Sequence, residues 1–219
     1  MVQKSMERNQ LLGLVLKKRV LIPVLALIAV CMIRVDFAGA HSAKLQETRI
    51  FEYIETFDPR HTPRSRREQL VEVIMREAER LEIPPEMRID GREISKAYLL
   101  TTYIRVESSF NPLARSRSDA RGYMQLKPLT ASWINRAPSA SQFRGNLNLY
   151  DTEVNVALGA DYINYLMTEM DDARQVALAY NAGPTSVRRG IFIESYWEKI
   201  LHTYRQLRTG DFRDDRISL

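Results

Sequence analysis

The sequence contains little cysteine and little histidine, and both shortages restrict the chemistry that it can support. Its 219 residues include one cysteine, Cys31, and three histidines, His41, His61 and His202. A single cysteine excludes a disulfide within the chain and a cysteine-based metal cluster. The histidines stand far apart, and none has the H-x-x-x-H spacing of a metal site. We therefore predict no catalytic metal and no cofactor.

The chain also lacks a charge excess outside its first forty residues. The net charge of +5 comes mainly from residues 1–40, which carry six basic and two acidic side chains. Residues 41–219 carry 26 basic and 25 acidic side chains. Because a nearly neutral body exerts no general attraction on a polyanion, we predict no nucleic acid partner.

Alternating strand patterns are scarce and no internal repeat is visible, whereas helical periodicity recurs along the chain. Ser65 and Glu68 predict a capping box before an amphipathic helix that stops at Pro84. A second apolar run, from Ile94 to Ile104, leads directly into Glu107. Further helical patterns cover 128–135, 152–170, 173–182 and 195–207. These patterns predict a mainly α fold, with at most a small hairpin within 115–125.

Residues 1–40 have the pattern of an export signal. A basic group, Lys17 to Arg19, precedes the uncharged residues 20–33, and Ala38-Gly39-Ala40 follows. Fourteen apolar residues fall short of the roughly 20 that span a bilayer, and A-x-A suits a signal peptidase. An uncleaved anchor that continues past Arg34 is equally compatible. Either interpretation places the rest of the chain in the periplasm or cell envelope, and an uncleaved segment would tether it to the membrane.

Residues 41–92 form the second predicted segment, a stalk followed by the amphipathic helix. Its first part, 41–67, has a mixed composition with Pro59, Pro63 and a basic cluster, as expected of a spacer. At the other end of the chain, residues 210–219 are rich in Asp and Arg and are predicted to be a frayed polar tail.

Glu107 is the most informative acidic residue. A carboxyl group at the end of an apolar helix, beside Tyr103 and Phe110, would be partly desolvated, which raises its pKa and suits a general acid. From this context alone, an ion pair with Arg105 or Arg115 at the helix end is the simpler interpretation.

Several motifs follow Glu107 in a fixed order. They are E-S-S-F-N-P at 107–112, A-R-S at 114–116, A-R-G-Y-M-Q-L-K-P-L-T-A at 120–131, N-V-A-L-G-A-D-Y-I at 155–163 and A-Y-N-A-G-P at 179–184. Together they resemble the soluble lytic transglycosylase (SLT) domain family. The resemblance implies a lysozyme-like, mostly helical catalytic domain with a groove, which we assign to residues 93–209. It also implies that the partner is the glycan strand of bacterial peptidoglycan.

The resemblance implies a specific reaction for Glu107, which matches the family's catalytic glutamate. Its carboxylic acid would protonate the oxygen of the β-1,4 bond between N-acetylmuramic acid (MurNAc) and N-acetylglucosamine (GlcNAc). The carboxylate would then take a proton from the muramoyl 6-hydroxyl, which attacks C1 and forms a 1,6-anhydro end. This route needs no second catalytic carboxylate, unlike ordinary glycosidases.

Five further residues are candidates for substrate binding by the same resemblance. Ser116 matches a serine near the substrate's acetamido group, and Gln125 matches a glutamine that lines the cleft. Tyr180 and Asn181 belong to the Y-N-A-G-P block, whose tyrosine hydroxyl would bond the catalytic carboxylate or the sugar. Met124 is a further candidate for the groove. The competing interpretations are a turn-capping serine, a helix-end glutamine and core packing of the tyrosine and methionine.

The sequence departs from the family pattern at Asp119, Tyr123 and Lys127, where Gly, Leu and Met are common. Asp119 tolerates the left-handed backbone of a glycine position. Its carboxylate could instead position water, as acids downstream of the catalytic glutamate do in goose-type lysozymes. A hydrolytic muramidase therefore stays open as an alternative, and so does a non-catalytic peptidoglycan-binding scaffold.

Overall fold

A computed structural model describes residues 39, 41–60, 62–141, 143–144 and 147–212. The chain divides into two compact units, 1–45 and 46–219, and Glu107 and the motif residues that follow it lie in the second. Apart from Gly39, the predicted targeting segment lies outside the described residues, and so does most of the predicted polar tail. None of the helices in the described ranges has the length and apolar character needed to cross a membrane.

Helices make up the architecture of the described residues. In chain order they are α1 (41–57), α2 (Arg64–Glu79), α3 (Lys96–Ser108), α4 (Pro128–Ile134), α5 (Thr152–Glu169), α6 (Ala173–Ala182), α7 (Pro184–Arg188) and α8 (Glu194–Thr209). The expected hairpin is reduced to isolated bridges that join Arg121 to Arg115 and to Leu126. The mainly α prediction is confirmed, and the patterns at 128–135, 152–170, 173–182 and 195–207 match helices closely.

The beginning of α2 differs from the prediction. Pro63 occupies the N-cap position with φ −51°, and no side chain caps the helix. Glu68 instead accepts a hydrogen bond from Arg64 Nε at 2.8 Å. The predicted capping box is therefore wrong, because an ion pair one turn apart on the helix surface takes up the glutamate.

Residues that the sequence analysis placed in a spacer form part of the core. In α1, Ile50, Tyr53 and Ile54 are at most 1% exposed, and Tyr53 Oη donates to Gln206 Oε1 of α8 at 2.8 Å. Arg49 Nη1 donates to the carbonyl of Arg208 near the end of α8 at 2.9 Å. The spacer interpretation is thus wrong for these residues. Their i, i+3, i+4 pattern is short and stands among charged residues, which concealed it.

The centre of the fold is α3. Ten of its thirteen residues are buried, as expected of a helix that is covered on every side. It packs against α2 and α8, while α5 packs against α2, α4 and α6. This arrangement encloses the C-terminal end of α3, where Glu107 lies.

A buried ionic group joins α2 to α5. Arg80 Nη1 donates to Glu77 Oε2 at 2.5 Å, and Arg80 Nη2 donates to Asp161 Oδ1 at 2.6 Å. Asp161 Oδ2 also accepts from the amide and the hydroxyl of Ser141, at 2.9 and 2.8 Å. Glu77 is 4% exposed and Asp161 is 6% exposed. We call these four residues the Arg80 cluster; each of its carboxylates meets a cation, as buried charges require.

Candidate active site

Glu107 lies in the last turn of α3. The helix ends at Ser108, and both Ser109 (φ 48°) and Phe110 (φ 61°) adopt the left-handed conformation. The Ser109 amide donates to the Arg105 carbonyl at 3.0 Å, which closes the helix end. Two left-handed residues that are not glycine cost conformational energy and are typical of functional sites. They turn the chain away directly after the acid.

The environment of Glu107 raises its pKa. The side chain is partly buried, and burial, which disfavours the charged form, raises the pKa from 4.5 to about 7. Tyr196 Oη donates to Glu107 Oε1 at 2.6 Å. This hydrogen bond favours the carboxylate and acts in the opposite direction. A carboxyl group with a pKa near neutrality can donate and accept a proton under the same conditions.

The predicted helix-end ion pair is absent among the described residues. Arg105 Nη1 donates to Ser109 Oγ at 3.0 Å, and its guanidinium lies 5.2 Å from the ring centre of Phe57. Arg115 Nε donates to Asp119 Oδ1 at 2.7 Å. The ion-pair interpretation of Glu107 is therefore wrong, and the acid has a tyrosine hydroxyl as its partner instead of a cation.

Glu107 opens into a cleft of about 480 Å³, which we call the Glu107 cleft. Its lining residues are Glu107, Ser116, Ser118, Ala120, Gln125, Leu126, Lys127, Thr130, Tyr162, Tyr180, Asn181, Ala182 and Gly183. The structure thus brings together five of the six site residues named from the sequence. It also adds polar and aromatic positions that sequence reasoning did not select, among them Ser118, Thr130 and Tyr162.

Met124 is the sixth residue, and its side chain lies in the core instead of the cleft. It is fully buried and packs so closely on Gly159 that a Cβ there would lie 2.6 Å from the Met124 Cε atom. Its carbonyl accepts a hydrogen bond from Tyr180 Oη at 2.8 Å. Met124 therefore contacts a cleft residue through its backbone.

The tyrosine hydroxyl that reaches the acid belongs to Tyr196 and not to Tyr180. Tyr196 lies in the first turn of α8, within the helical pattern predicted for 195–207. No local sequence pattern distinguishes it, because Tyr196 and Glu107 are 89 residues apart in the chain. Their contact depends on the packing of α8 against α3. Such non-local contacts are the ones that periodicity does not predict.

Ser116 and Gln125 brace the loop that forms one wall of the cleft. Ser116 Oγ accepts from the Ala120 amide at 3.0 Å. Gln125 has φ 46°, and its Nε2 donates to the carbonyls of Ala114 and Gly122 at 3.1 and 2.9 Å. Both side chains line the cleft and also hold the loop. Ser116 therefore caps a turn and lines the site at the same time.

Asn155 of α5 fixes the same loop from behind. Its side chain is buried and donates to the carbonyls of Arg121 and Leu149, both at 2.9 Å. Its Oδ1 accepts from the Met124 amide at 2.7 Å. Gly122 (φ 74°) approaches so closely that a Cβ would lie 2.2 Å from the Leu149 carbonyl oxygen. The three hydrogen bonds satisfy buried backbone groups and set the position of the wall.

Asp119 adopts the left-handed conformation that the sequence analysis expected it to tolerate, with φ 64°. Its carboxylate accepts from Arg121 Nη2 at 2.8 Å and from Arg115 Nε at 2.7 Å. These hydrogen bonds, that of Arg121 first, hold the pKa of Asp119 below its ordinary value. Asp119 is not a lining residue of the Glu107 cleft. Among the described residues, no three His, Cys, Asp or Glu side chains are grouped to hold a metal ion.

Comparison with known proteins adds an independent observation. The model of the Transglycosylase SLT domain family matches residues 88–200. The chain is 36% identical over 99 residues to the soluble lytic murein transglycosylase of Salmonella typhimurium, covering 45% of this chain and 15% of that protein. It is 41% identical over 78 residues to the membrane-bound lytic murein transglycosylase E of Buchnera aphidicola, covering 33% and 34%.

A solved structure is also similar in part. The 70 kDa soluble lytic transglycosylase from Escherichia coli aligns with a TM-score of 0.45 at 25% identity, covering 62% of this chain and 22% of that one. The chain spans about 15% of the length of the Salmonella protein that it matches.

Proposed function

Because the chain belongs to the Transglycosylase SLT domain family, we propose that it cleaves the β-1,4 bond between MurNAc and GlcNAc in peptidoglycan as a lytic transglycosylase. The observation that carries this proposal is the position of Glu107 in the cleft together with its raised pKa. It is the one carboxyl group among the described residues that line the cleft, and burial raises its pKa to about 7.

In the first step, Glu107 acts as the general acid. With a pKa of about 7, a substantial fraction of molecules hold the proton at neutral pH, whereas an ordinary glutamate would be ionised. The proton passes to the oxygen that links C1 of MurNAc to C4 of GlcNAc. The bond between C1 and this oxygen then breaks, and the GlcNAc side leaves as an alcohol.

In the second step, Glu107 acts as the base. Its carboxylate takes the proton of the muramoyl 6-hydroxyl, whose oxygen attacks C1 and closes the 1,6-anhydro ring. The enzyme regains its proton, and no water is consumed. The hydrogen bond from Tyr196 at 2.6 Å stabilises the carboxylate that exists between the two steps, since it favours the charged form.

The composition of the cleft supports a route with one carboxyl group. Ordinary glycosidases place a second carboxylate about 5 to 9.5 Å from the first, as nucleophile or base. The acid nearest in sequence that could fill such a role, Asp119, is bound by two arginines and does not line the cleft. This arrangement favours transglycosylation over the hydrolytic alternative.

The remaining lining residues would bind the sugars, and we include them in the proposal. Ser116 and Asn181 offer short polar groups for the acetamido and hydroxyl groups of the glycan, and Gln125 offers its Oε1, since its Nε2 is bound to two loop carbonyls. The Tyr180 hydroxyl is engaged by the Met124 carbonyl, and its ring packs against Tyr103 and Tyr162, so Tyr180 supports the wall of the cleft from the core. We place the reaction in the cell envelope, with a membrane tether if residues 1–40 are retained.

Mass spectrometry of the soluble fragments released from purified peptidoglycan tests the proposal. The expected fragments end in 1,6-anhydro-MurNAc and are lighter by one water than reducing-end fragments. Reducing ends would show a hydrolase instead, and binding without release would show a scaffold. Asp119→Gly is the matched control, because glycine accepts the same φ. It should leave the products unchanged, whereas a hydrolase that depends on Asp119 would lose its products.

A further inference from the structure

The Glu107 cleft contains a single cation among its described lining residues, Lys127. The residue precedes α4 as its N-cap, and its side chain is exposed. The other lining residues are one acid, Glu107, and neutral side chains. When Glu107 holds its proton, the lining therefore carries a net positive charge, which favours an anionic ligand.

The charge of Lys127 has no role in holding the described part of the fold. No carboxylate of the described residues forms a salt bridge with it, whereas other basic residues near the loop are engaged. Arg115 and Arg121 both bind Asp119. An exposed lysine is commonly just a solvated charge, but this one faces a cleft that already contains the candidate acid.

We propose that Lys127 binds a carboxylate of the glycan strand and makes the cleft selective for strands that carry one; this inference rests on the proposed function. MurNAc carries a lactyl group, whose carboxylate is free where no stem peptide is attached. Where a stem peptide is attached, the lactyl carboxyl is an amide and the peptide supplies carboxylates of its own. GlcNAc carries none, so a strand of GlcNAc alone offers Lys127 no partner.

The expected selectivity is moderate because Lys127 is exposed. Ion pairs at exposed sites change affinity by about two- to fivefold. They weaken with salt, since the screening length falls from about 10 Å at 0.1 M to about 3 Å at 1 M. Dependence on both the carboxylate and the salt concentration therefore identifies this contact.

Binding to the inactive Glu107→Gln protein tests the proposal without turnover. Three ligands of matched length are compared: glycan strands with stem peptides, strands stripped of peptides by an amidase, and GlcNAc oligomers. Adding Lys127→Met should weaken binding to at least one carboxylate-bearing ligand about two- to fivefold at low salt. Lys127→Arg should retain it, and binding of GlcNAc oligomers should not change. Arg136→Met removes the same charge from an exposed residue of the segment after α4 that does not line the cleft, and should have no effect.

The two sources of the carboxylate give different patterns. A loss confined to the stripped strands identifies the lactyl carboxylate, and a loss confined to strands with stem peptides identifies a peptide carboxylate. An equal loss for all three ligands, or no loss for either anionic ligand, overturns the proposal. If the unmodified protein releases no 1,6-anhydro fragments, the proposed function is wrong. If it releases them and Lys127→Met changes no affinity, this inference alone is wrong.

Discussion

The Arg80 cluster and the Glu107 cleft surround their carboxyl groups with different hydrogen-bond partners. In the cluster, Glu77 and Asp161 are almost fully buried, and each accepts a hydrogen bond from Arg80. In the cleft, Glu107 is partly buried and has a tyrosine hydroxyl as its hydrogen-bond partner. The cluster thus pairs each buried carboxyl group with an arginine, whereas Glu107 has no cation as its hydrogen-bond partner and burial raises its pKa.

The difference shows that burial by itself does not determine what a carboxyl group does. A buried carboxylate that is paired with arginine stays ionised and connects elements of the fold. One that lacks a cation holds its proton to higher pH and becomes available for proton transfer. Variants that remove the arginine of the cluster or the acid of the cleft distinguish effects on stability from effects on catalysis.

The largest effect is expected from Glu107→Gln. Glutamine keeps the shape and can still accept the Tyr196 hydrogen bond, but it cannot transfer a proton. The rate of fragment release from peptidoglycan should fall at least about 100-fold, as is typical of a lost general acid. Circular dichroism should show the same helix content. Release at the rate of the unmodified protein would show that the acid is misassigned.

Arg80→Leu should affect stability instead of chemistry. It leaves Asp161 buried without its cation, whereas Glu77 keeps the hydrogen bond from Arg76 Nε at 2.9 Å, and it should lower the free energy of unfolding by about 3 kcal/mol. Urea denaturation measures the change, and the kcat of the folded protein should not alter. Arg64→Leu breaks the exposed pair with Glu68 and should cost less than about 1 kcal/mol. Equal losses in the two variants would contradict the contrast.

Glu107→Gln should also change how stability depends on pH. The folded state of the unmodified protein keeps the Glu107 proton up to a pKa of about 7, against 4.5 ordinarily. Because the folded state binds more protons than the unfolded state between these values, stability falls as pH rises through this range. Glutamine removes this loss, so the variant should be more stable by about 1 to 3 kcal/mol at pH 8 and similar to the unmodified protein at pH 4.

Thermal unfolding at the two pH values measures this effect, with Glu68→Gln as the exposed control. A gain of the same size at pH 4 would show that the charge of Glu107 is not its source.

The smallest of these effects is expected from Tyr196→Phe. It removes the hydrogen bond that favours the carboxylate, so the pKa of Glu107 should rise further. The alkaline limb of the profile of kcat/KM against pH should therefore move to higher pH. The rate should fall about tenfold at the optimum, because the intermediate carboxylate loses a stabilising partner. A lower rate with an unmoved alkaline limb would indicate that Tyr196 only packs against the acid.

Local patterns predicted the helices well where they were long and periodic. The 173–182 pattern corresponds to α6 over the same range. They failed for α1, whose buried positions are few, and for the capping box, because Arg64 competes for Glu68. The motif residues lie on one loop and on the helices next to it, so the local conformations of these segments bring most of the cleft residues together. Tyr196 reaches Glu107 because α8 packs against α3, and no local sequence pattern indicates this contact. The burial of the Met124 side chain also depends on packing, so local sequence did not predict it.

The buried amide of Asn155 has a consequence for how this cleft can diversify. It holds one wall by bonds to main-chain atoms at 121, 124 and 149, as the side chains of Ser116 and Gln125 also do, so the course of the wall does not depend on the side chain at position 127. A position such as 127 can then be exchanged between charged and apolar residues while the frame around the acid stays in place. With the backbone fixed from behind, substitutions at such a position can change the substrate preference while the catalytic geometry stays the same.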